Sequence, residues 1–189
     1  MAEKIQNSGL RLRRRITKLT MYIDLLALAE KKDEINQQQD FCDIDFVLTQ
    51  LQLKNKVSRI DSKPDFHFDC DEASLKVNEQ HLECLFNELI ENSIKFSEPG
   101  TPIEIIGRSV GEAYRIQITD FGHGMGELDT RHIDLFNQNG FEYEITEGLG
   151  IGLAIVKKIV ELYNGKLNIE SEPEVFTCVK IELPLFNKN

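Results

Sequence analysis

Hydrophobic residues between positions 81 and 100 recur at the spacing of an amphipathic helix. At about 100° per residue, one side collects a set that is apolar apart from one serine. The set is Leu82, Leu85, Phe86, Leu89 and Ser93. Glu88, Asn92 and Lys95 fall within about 60° of one another on a different side. The pattern predicts a helix with one buried face and a second face that carries a carboxylate, an amide and an ammonium.

The N-terminal stretch has a different periodicity, in steps of four and three. Its apolar positions are Leu12, Ile16, Leu19, Ile23 and Leu26. This a/d pattern predicts a helical stalk whose apolar stripe packs on the domain or on another helix. Residues 31–40 are polar and without period, which predicts a linker.

Further helices are expected near 45–57 and 149–163, and alternating runs predict several strands. The strand runs are 66–68, 74–77, 102–110, 112–119, 166–172 and 176–184. Helices and strands do not alternate as regular βαβ units. The sequence therefore predicts an α+β fold, a two-layer α/β sandwich with a mixed sheet covered by about three helices. The stalk would occupy 1–30, the linker 31–40 and one main domain 41–189.

Composition narrows the function classes. The 189 residues carry a formal net charge of −10, which argues against a nucleic-acid partner because such surfaces are basic. The four cysteines lack metal-ligand spacing and are expected to be isolated thiols of a reducing compartment. No apolar run approaches the roughly 18 residues of a membrane span, and the start lacks the plan of a signal peptide. We therefore expect a cytoplasmic chain without membrane contact.

The polar helix face is the first candidate for chemistry. Oxygen ligands such as those of Glu88 and Asn92 suit Mg²⁺, and an ammonium such as that of Lys95 suits phosphate. A solvated helix face is the alternative, because acidic and basic residues at this spacing are common on surfaces.

Two glycine-rich segments are the second candidate. Asp120 ends a strand run and precedes Gly122, Gly124 and Gly126, so a carboxylate able to accept the adenine amine stands beside a flexible turn. Gly148, Gly150 and Gly152 precede a helix, whose N–H groups can bind phosphate. The spacing fits neither a dinucleotide fingerprint nor a P-loop. An ordinary Asp-Gly turn and close helix packing are the alternatives.

The segments ELIENSIKFS, ITDFGHGMG and EGLGIGLAIVKKIVELYNGKL stand in this order along the chain. They resemble the Asn box, first Gly box and second Gly box of the histidine-kinase branch of the gyrase, Hsp90, histidine kinase and MutL ATPases. The resemblance covers roughly 41–186. The stretch NSGLRLRRRITKLTMYIDLLALAE resembles the second helix of a kinase dimerisation and phosphotransfer hairpin. The chain is most similar to bacterial sensor kinases linked to receiver domains.

The resemblance implies an ATP-binding catalytic domain over 41–189. Such a domain would transfer the γ-phosphoryl of ATP to a histidine for relay to an aspartate of a response regulator receiver domain. The stalk would form a homodimer, with ATP and Mg²⁺ as cofactors. Asp120 and the glycines after it would bind adenine, supported by Thr177. The glycines from Gly148 to Gly152 would face the triphosphate, with Asn92 as Mg²⁺ ligand and Lys95 on phosphate.

Departures from the family pattern leave alternatives open. Glu88 stands where many histidine kinases have asparagine, and it could be a catalytic base or a Mg²⁺-shell residue. No histidine has the context of a phosphoacceptor, so the acceptor would lie outside this chain. Arg131 is the only Lys or Arg from 127 to 147, the expected nucleotide lid. A nucleotide-gated interaction module and a hydrolysing ATPase of the same superfamily therefore remain as alternatives.

Overall fold

A computed structural model describes residues 2–31, 40–57, 65–98, 100–124 and 150–186, without the side chains of 2–4, 7 and 54–57. The helices are α1 (Ala2–Glu30), α2 (Ile44–Val57), α3 (Glu79–Phe96) and α4 (Gly150–Leu162). The strands are β1 (Cys42–Asp43), β2 (Asp65–Cys70), β3 (Ser74–Leu75), β4 (Pro102–Val110), β5 (Ala113–Asp120), β6 (Lys166–Glu172) and β7 (Phe176–Pro184).

Five strands form the main sheet, in the order β2-β4-β5-β7-β6. β2 pairs with β4 in parallel, whereas the other three pairs are antiparallel. β1 and β3 form a separate small antiparallel pair. The sheet is therefore mixed, and the predicted α+β sandwich with its N-terminal helix is confirmed.

The core lies between the sheet and the helices. Alternate residues of the central strands are buried, as a half-covered sheet requires, and they include Ile103, Ile116 and Ile181. From the helices, Phe86 of α3 and Ile155 of α4 are fully buried in the same cluster. Burial of one such side chain is worth about 1.5–3 kcal/mol, so this layer contact holds α3 and α4 on the sheet.

The N-terminal helix docks on the domain through a face that the a/d pattern did not indicate. Tyr22 and Leu25 are buried, and Leu25 has no exposed surface at all. The predicted stripe lies beside this face and stays exposed, with Ile16 54% and Leu26 40% accessible. α1 packs mainly on α4. The helix thus has two apolar faces, and only one of them is covered in a single chain.

Two ends of the domain meet at the edge of this sandwich. The Phe41 and Phe186 rings stack with their centroids 4.5 Å apart. Phe186 N–H donates to the Ser74 carbonyl, and Lys76 N–H donates to the Pro184 carbonyl. These contacts place the segment after α1 beside the end of β7.

Candidate functional site

The helix α3 forms the centre of the candidate site. The Asn78 side chain caps its first turn by accepting a hydrogen bond from Gln80 N–H at 2.9 Å. The apolar set predicted from the sequence is buried, Ser93 included. The helix ends at Phe96, and Ser97 N–H donates to the Ser93 carbonyl. The cap and the buried face together fix which way the polar residues of α3 point.

Glu88 is buried on α3 and is paired across to α1. The Lys18 ammonium lies 2.5 Å from Glu88 Oε2 and 3.2 Å from Glu91 Oε2. Burial raises the pKa of the Glu88 carboxyl, and the Lys18 hydrogen bond opposes that rise. Burial lowers the pKa of Lys18, but the two carboxylates outweigh it and the net change is upward. The pair therefore lies at the interface of α1 and α3.

Asn92 and Lys95 follow on the same side of α3. Asn92 lies one turn after Glu88 and is half-buried, whereas Lys95 is exposed. The Lys95 ammonium lies 4.4 Å from the ring centroid of its neighbour Phe96. The predicted trio therefore shares one side of the helix, and its members become more accessible toward the C-terminal end.

Asp120 lies buried at the end of β5. Burial raises the pKa of its carboxyl to about 6, while hydrogen bonds from Gly122 N–H and the Ser93 hydroxyl act in the opposite direction. The Gly122 contact to Asp120 Oδ1 measures 3.3 Å. Thr177 of β7 is the cross-strand partner of Asp120 and is also buried. The Thr177 hydroxyl lies 3.1 Å from the Ser171 hydroxyl. Sheet register thus brings the predicted adenine residues together.

The first glycine-rich segment is held between two elements. A Cβ at Gly122 would lie 2.1 Å from the Phe96 carbonyl oxygen, and one at Gly124 would lie 2.1 Å from the Glu172 carbonyl oxygen. Gly124 also has a φ of 59°. His123 N–H donates to the Phe96 carbonyl at 3.1 Å. Glycine is required here so that the segment can pass between the end of α3 and the β6–β7 turn.

The second glycine-rich segment is described only from Gly150 onward, so Gly148 lies outside the described residues, as does Gly126 of the first segment. Gly150 begins α4 with a φ of 78°. A Cβ at Gly152 would lie 2.3 Å from Glu88 Oε2. Gly152 therefore lets the start of α4 approach the Glu88 carboxylate.

Sequence reasoning missed two residues of this arrangement. Ser93 was assigned to the apolar face, yet its hydroxyl contacts the Asp120 carboxyl. A hydroxyl at an otherwise apolar helix position was the available signal for that contact. Lys18 gave no such signal, because it is one of several basic residues in α1.

No group of three or more His, Cys, Asp or Glu side chains suited to a metal ion occurs among the described residues. All four cysteines are free thiols. None of the helices in the described part of the chain is long and apolar enough to cross a membrane.

Comparison with known proteins places these features in a family. Residues 77–187 match the family described as histidine kinase-, DNA gyrase B-, and HSP90-like ATPase. The chain belongs to this ATPase family. The match includes α3, Asp120, both glycine-rich segments and Thr177, and the family is one of ATP-binding domains.

Individual relatives of this ATPase domain are sensor kinases. The signal transduction histidine-protein kinase ArlS of Staphylococcus epidermidis is 31% identical over 179 residues, which cover 92% of this chain and 38% of that protein. The chain spans about two fifths of the length of the first relatives it matches.

Solved structures share the fold. The Acinetobacter baumannii histidine kinase AdeS superposes with a TM-score of 0.71 at 21% identity, over 98% of this chain and 84% of that one. Full-length ShkA in complex with AMPPNP gives a TM-score of 0.71 at 18% identity, over 98% of this chain and 38% of that one. Both alignments include the α1 end of this ATPase domain as well as the sandwich.

Proposed function

We propose that this chain is the ATP-binding catalytic part of a two-component sensor histidine kinase. It transfers the γ-phosphoryl of ATP to a histidine outside the chain, for relay to an aspartate of a response regulator receiver domain. The observation that carries the proposal is the buried Asp120 at the end of β5, with Ser93 of α3 and Thr177 of β7 beside it. Family membership and the sensor-kinase relatives support it.

The adenine end is assigned to Asp120. A buried carboxylate gains from a ligand that supplies N–H groups, and the adenine amine is such a donor. Gly122 and Gly124 shape the turn beside the base, and Gly126 is assigned to the same end of the site from the sequence. Thr177 supports the carboxylate from the neighbouring strand. A nucleotide analogue bound to the structural neighbour ShkA supports the ligand class.

The phosphate end is assigned to α3 and the start of α4. Gly148, Gly150 and Gly152 allow backbone N–H groups at the α4 end to face phosphate oxygens, and Lys95 adds a cation. Glu88 and Asn92 offer one carboxylate and one amide oxygen a turn apart. Mg²⁺ is usually held by one or two side-chain oxygens and keeps waters and phosphate oxygens as its other ligands, so this donor set fits it.

Mg²⁺ bound there would offset the negative charge of the phosphates. Glu88 is proposed to accept or orient the proton of the incoming imidazole as the nitrogen–phosphorus bond forms and the bond to ADP breaks. A role for Glu88 within the Mg²⁺ shell is the alternative. The position of Glu88, buried on α3 beside Lys18, is compatible with both roles.

Thermal unfolding with and without Mg²⁺-ATP tests the nucleotide site. Ligand at 100 times its dissociation constant adds about 2.7 kcal/mol to the free energy of unfolding. For a domain of this size that is a rise of roughly 5–10 °C in Tm. Asp120→Asn should reduce the rise, because the neutral amide oxygen is a weaker acceptor for the adenine amine than the carboxylate. A rise of equal size in this variant would contradict the adenine assignment.

Phosphotransfer is tested with a longer form of the protein that carries the phosphoacceptor helix. Incubation with ATP labelled at the γ-phosphate should give label that is stable to base and lost in acid, as expected of phosphohistidine. Nucleotide binding without label would favour an interaction module, and steady phosphate release without label would favour a hydrolysing ATPase. The resemblance to histidine kinases also leads us to propose that the chain lies in the cytoplasm and that the stalk forms a homodimer contact.

A further inference from the structure

The ammonium of Lys18 lies at the junction of three helices. It projects from α1 to Glu88 and Glu91 of α3, and a Cβ at Gly152 of α4 would lie 3.7 Å from it. Tyr22 and Leu25 follow Lys18 on the same side of α1 and are buried. The position of the ammonium is therefore fixed by packing on both following turns, unlike that of an isolated surface ion pair.

The charged side chains around this junction include two cations and two carboxylates. Arg14 of α1 lies 3.4 Å from Glu91, so two basic side chains face two carboxylates. The Lys18 side chain is 21% exposed and that of Arg14 69%. Of these two cations, Lys18 is therefore the less exposed. It lies beside Glu88 and Gly152, which are two of the residues assigned to the phosphate end.

The segment 127–147, which the sequence predicts to be the nucleotide lid, offers little positive charge to an ATP phosphate. Arg131 is the only Lys or Arg between 127 and 147, whereas Glu142, Glu144 and Glu147 are acidic. Transfer of a phosphoryl group depends on cations that balance the charge on its oxygens. A further cation from another element would meet this need.

We propose that Lys18 is a phosphate-contacting residue of the nucleotide site, whose ammonium binds the terminal phosphate of Mg²⁺-ATP. The inference rests on the function proposed above. Mg²⁺ at Glu88 would weaken the hold of that carboxylate on Lys18, and the ammonium would donate instead to the phosphate beside the start of α4. The helix α1 then forms part of the ATP site as well as a stalk.

The test compares the affinities of Mg²⁺-ATP and Mg²⁺-ADP for the 189-residue chain and for Lys18→Met, by calorimetry. Loss of a charge-assisted contact to the terminal phosphate should weaken ATP about ten- to a hundredfold and leave ADP within about twofold. Retained ADP binding shows that the variant is folded at the site. Arg14→Met is the matched control, since it removes a cation from the same helix and the same ion-pair group. It should change neither affinity by more than about twofold.

Two results would overturn the inference while the proposed function stands. The ratio of ATP to ADP affinity could stay the same in Lys18→Met, or both nucleotides could bind more tightly, in which case Lys18 competes with the metal for Glu88. A wild-type chain that binds neither nucleotide would instead overturn the proposed function, and this inference with it.

Discussion

At the scale of single residues, Asp120 combines a stability cost with a proposed binding role. The carboxyl is buried at the end of β5, and it accepts hydrogen bonds from Gly122 N–H, at 3.3 Å, and from the Ser93 hydroxyl. The fold therefore holds a carboxylate in a setting that favours its protonated form. Such a residue is retained at a cost when a ligand uses its charge.

The pH dependence of stability should reveal this cost. The Asp120 pKa rises from 3.8 in the unfolded chain to about 6 in the fold, so the folded chain binds the proton more tightly. Its contribution is fully present below about pH 4 and is lost as the pH rises through 6. At neutral pH without nucleotide, Asp120→Asn should be more stable than wild type by up to roughly 3 kcal/mol.

Urea denaturation from about pH 4 to pH 7.5 measures this difference. The gap between the variant and wild type should be small at the acid end and should open as the pH passes through 6. A gap independent of pH would mean that Asp120 does not titrate in this range.

The glycines provide a second prediction at this scale. Gly122→Ala would place a Cβ against the Phe96 carbonyl. At Gly111, in the β4–β5 turn, a Cβ would have no atom within 4 Å, and the obstacle to Gly111→Ala is the positive φ of 62°. We expect Gly111→Ala to lower the free energy of unfolding by about 1–2 kcal/mol, because alanine disfavours the left-handed backbone conformation. Gly122→Ala should cost more, because the backbone of α3 or of the segment has to move. Equal losses in chemical denaturation would show that the segment relaxes freely.

At the scale of elements, the hydrophobic periodicity of α1 predicted only one of its two packing faces. The a/d positions are the most regular apolar set in its sequence, yet α1 meets the domain through Lys18, Tyr22 and Leu25. This second set contains a lysine and a tyrosine, so a hydrophobic pattern gives it little weight. Its contacts depend on α3 and α4, which lie far along the chain.

Neighbouring leucines separate the two faces experimentally. Leu25→Ala removes a fully buried side chain and should lower the free energy of unfolding by about 2–5 kcal/mol. Leu26→Ala changes a side chain that is 40% exposed and should cost less than about 1 kcal/mol in a single chain. Denaturation at low protein concentration measures both. A larger loss for Leu26→Ala would contradict the docked face described here.

At the scale of the whole molecule, a polar network joins the start of the domain to both site helices. Asn78, which caps α3, donates through its side chain to Asp40 at 3.2 Å. The Tyr163 hydroxyl, at the end of α4, lies 2.7 Å from His81 Nδ1 and accepts from Asn78 N–H at 3.2 Å. Burial raises the pKa of Tyr163 to about 12, so its hydroxyl stays protonated.

Removing the Tyr163 hydroxyl should therefore have a larger effect than removing a buried hydroxyl whose second partner is only a thiol. Tyr163→Phe leaves Asn78 N–H and His81 without their partner and should cost about 1–3 kcal/mol. Tyr114→Phe is the comparison, because its buried hydroxyl donates to the Asp71 carbonyl and its other hydrogen-bond partner is the Cys70 thiol, a weak hydrogen-bonding group. This substitution should cost about 1 kcal/mol. Thermal unfolding compares the two variants. An equal loss of stability would mean that the Tyr163 network does not stabilise the contact between α3 and α4.

The fold was largely predictable because its layers follow simple periods. The buried face of α3 and the alternating strands could be predicted from spacing alone. Strand pairing could not, since the opposition of Asp120 and Thr177 is set by the register of β5 on β7. Lys18 near Glu88 could not be predicted either, because 70 residues separate them and their meeting depends on how α1 packs. The roles of these residues toward a nucleotide stay predictions.

The docked face and the exposed face of α1 are offset by one residue along the helix, and this offset couples their movements. Lys18, Tyr22 and Leu25 each precede by one position the exposed Leu19, Ile23 and Leu26. One residue corresponds to a turn of about 100° around the axis of a helix with 3.6 residues per turn. The angle between the two faces is fixed by the covalent chain. Any partner that rotates α1 by its exposed face therefore rotates the Lys18 ammonium through the same angle, toward or away from Glu88.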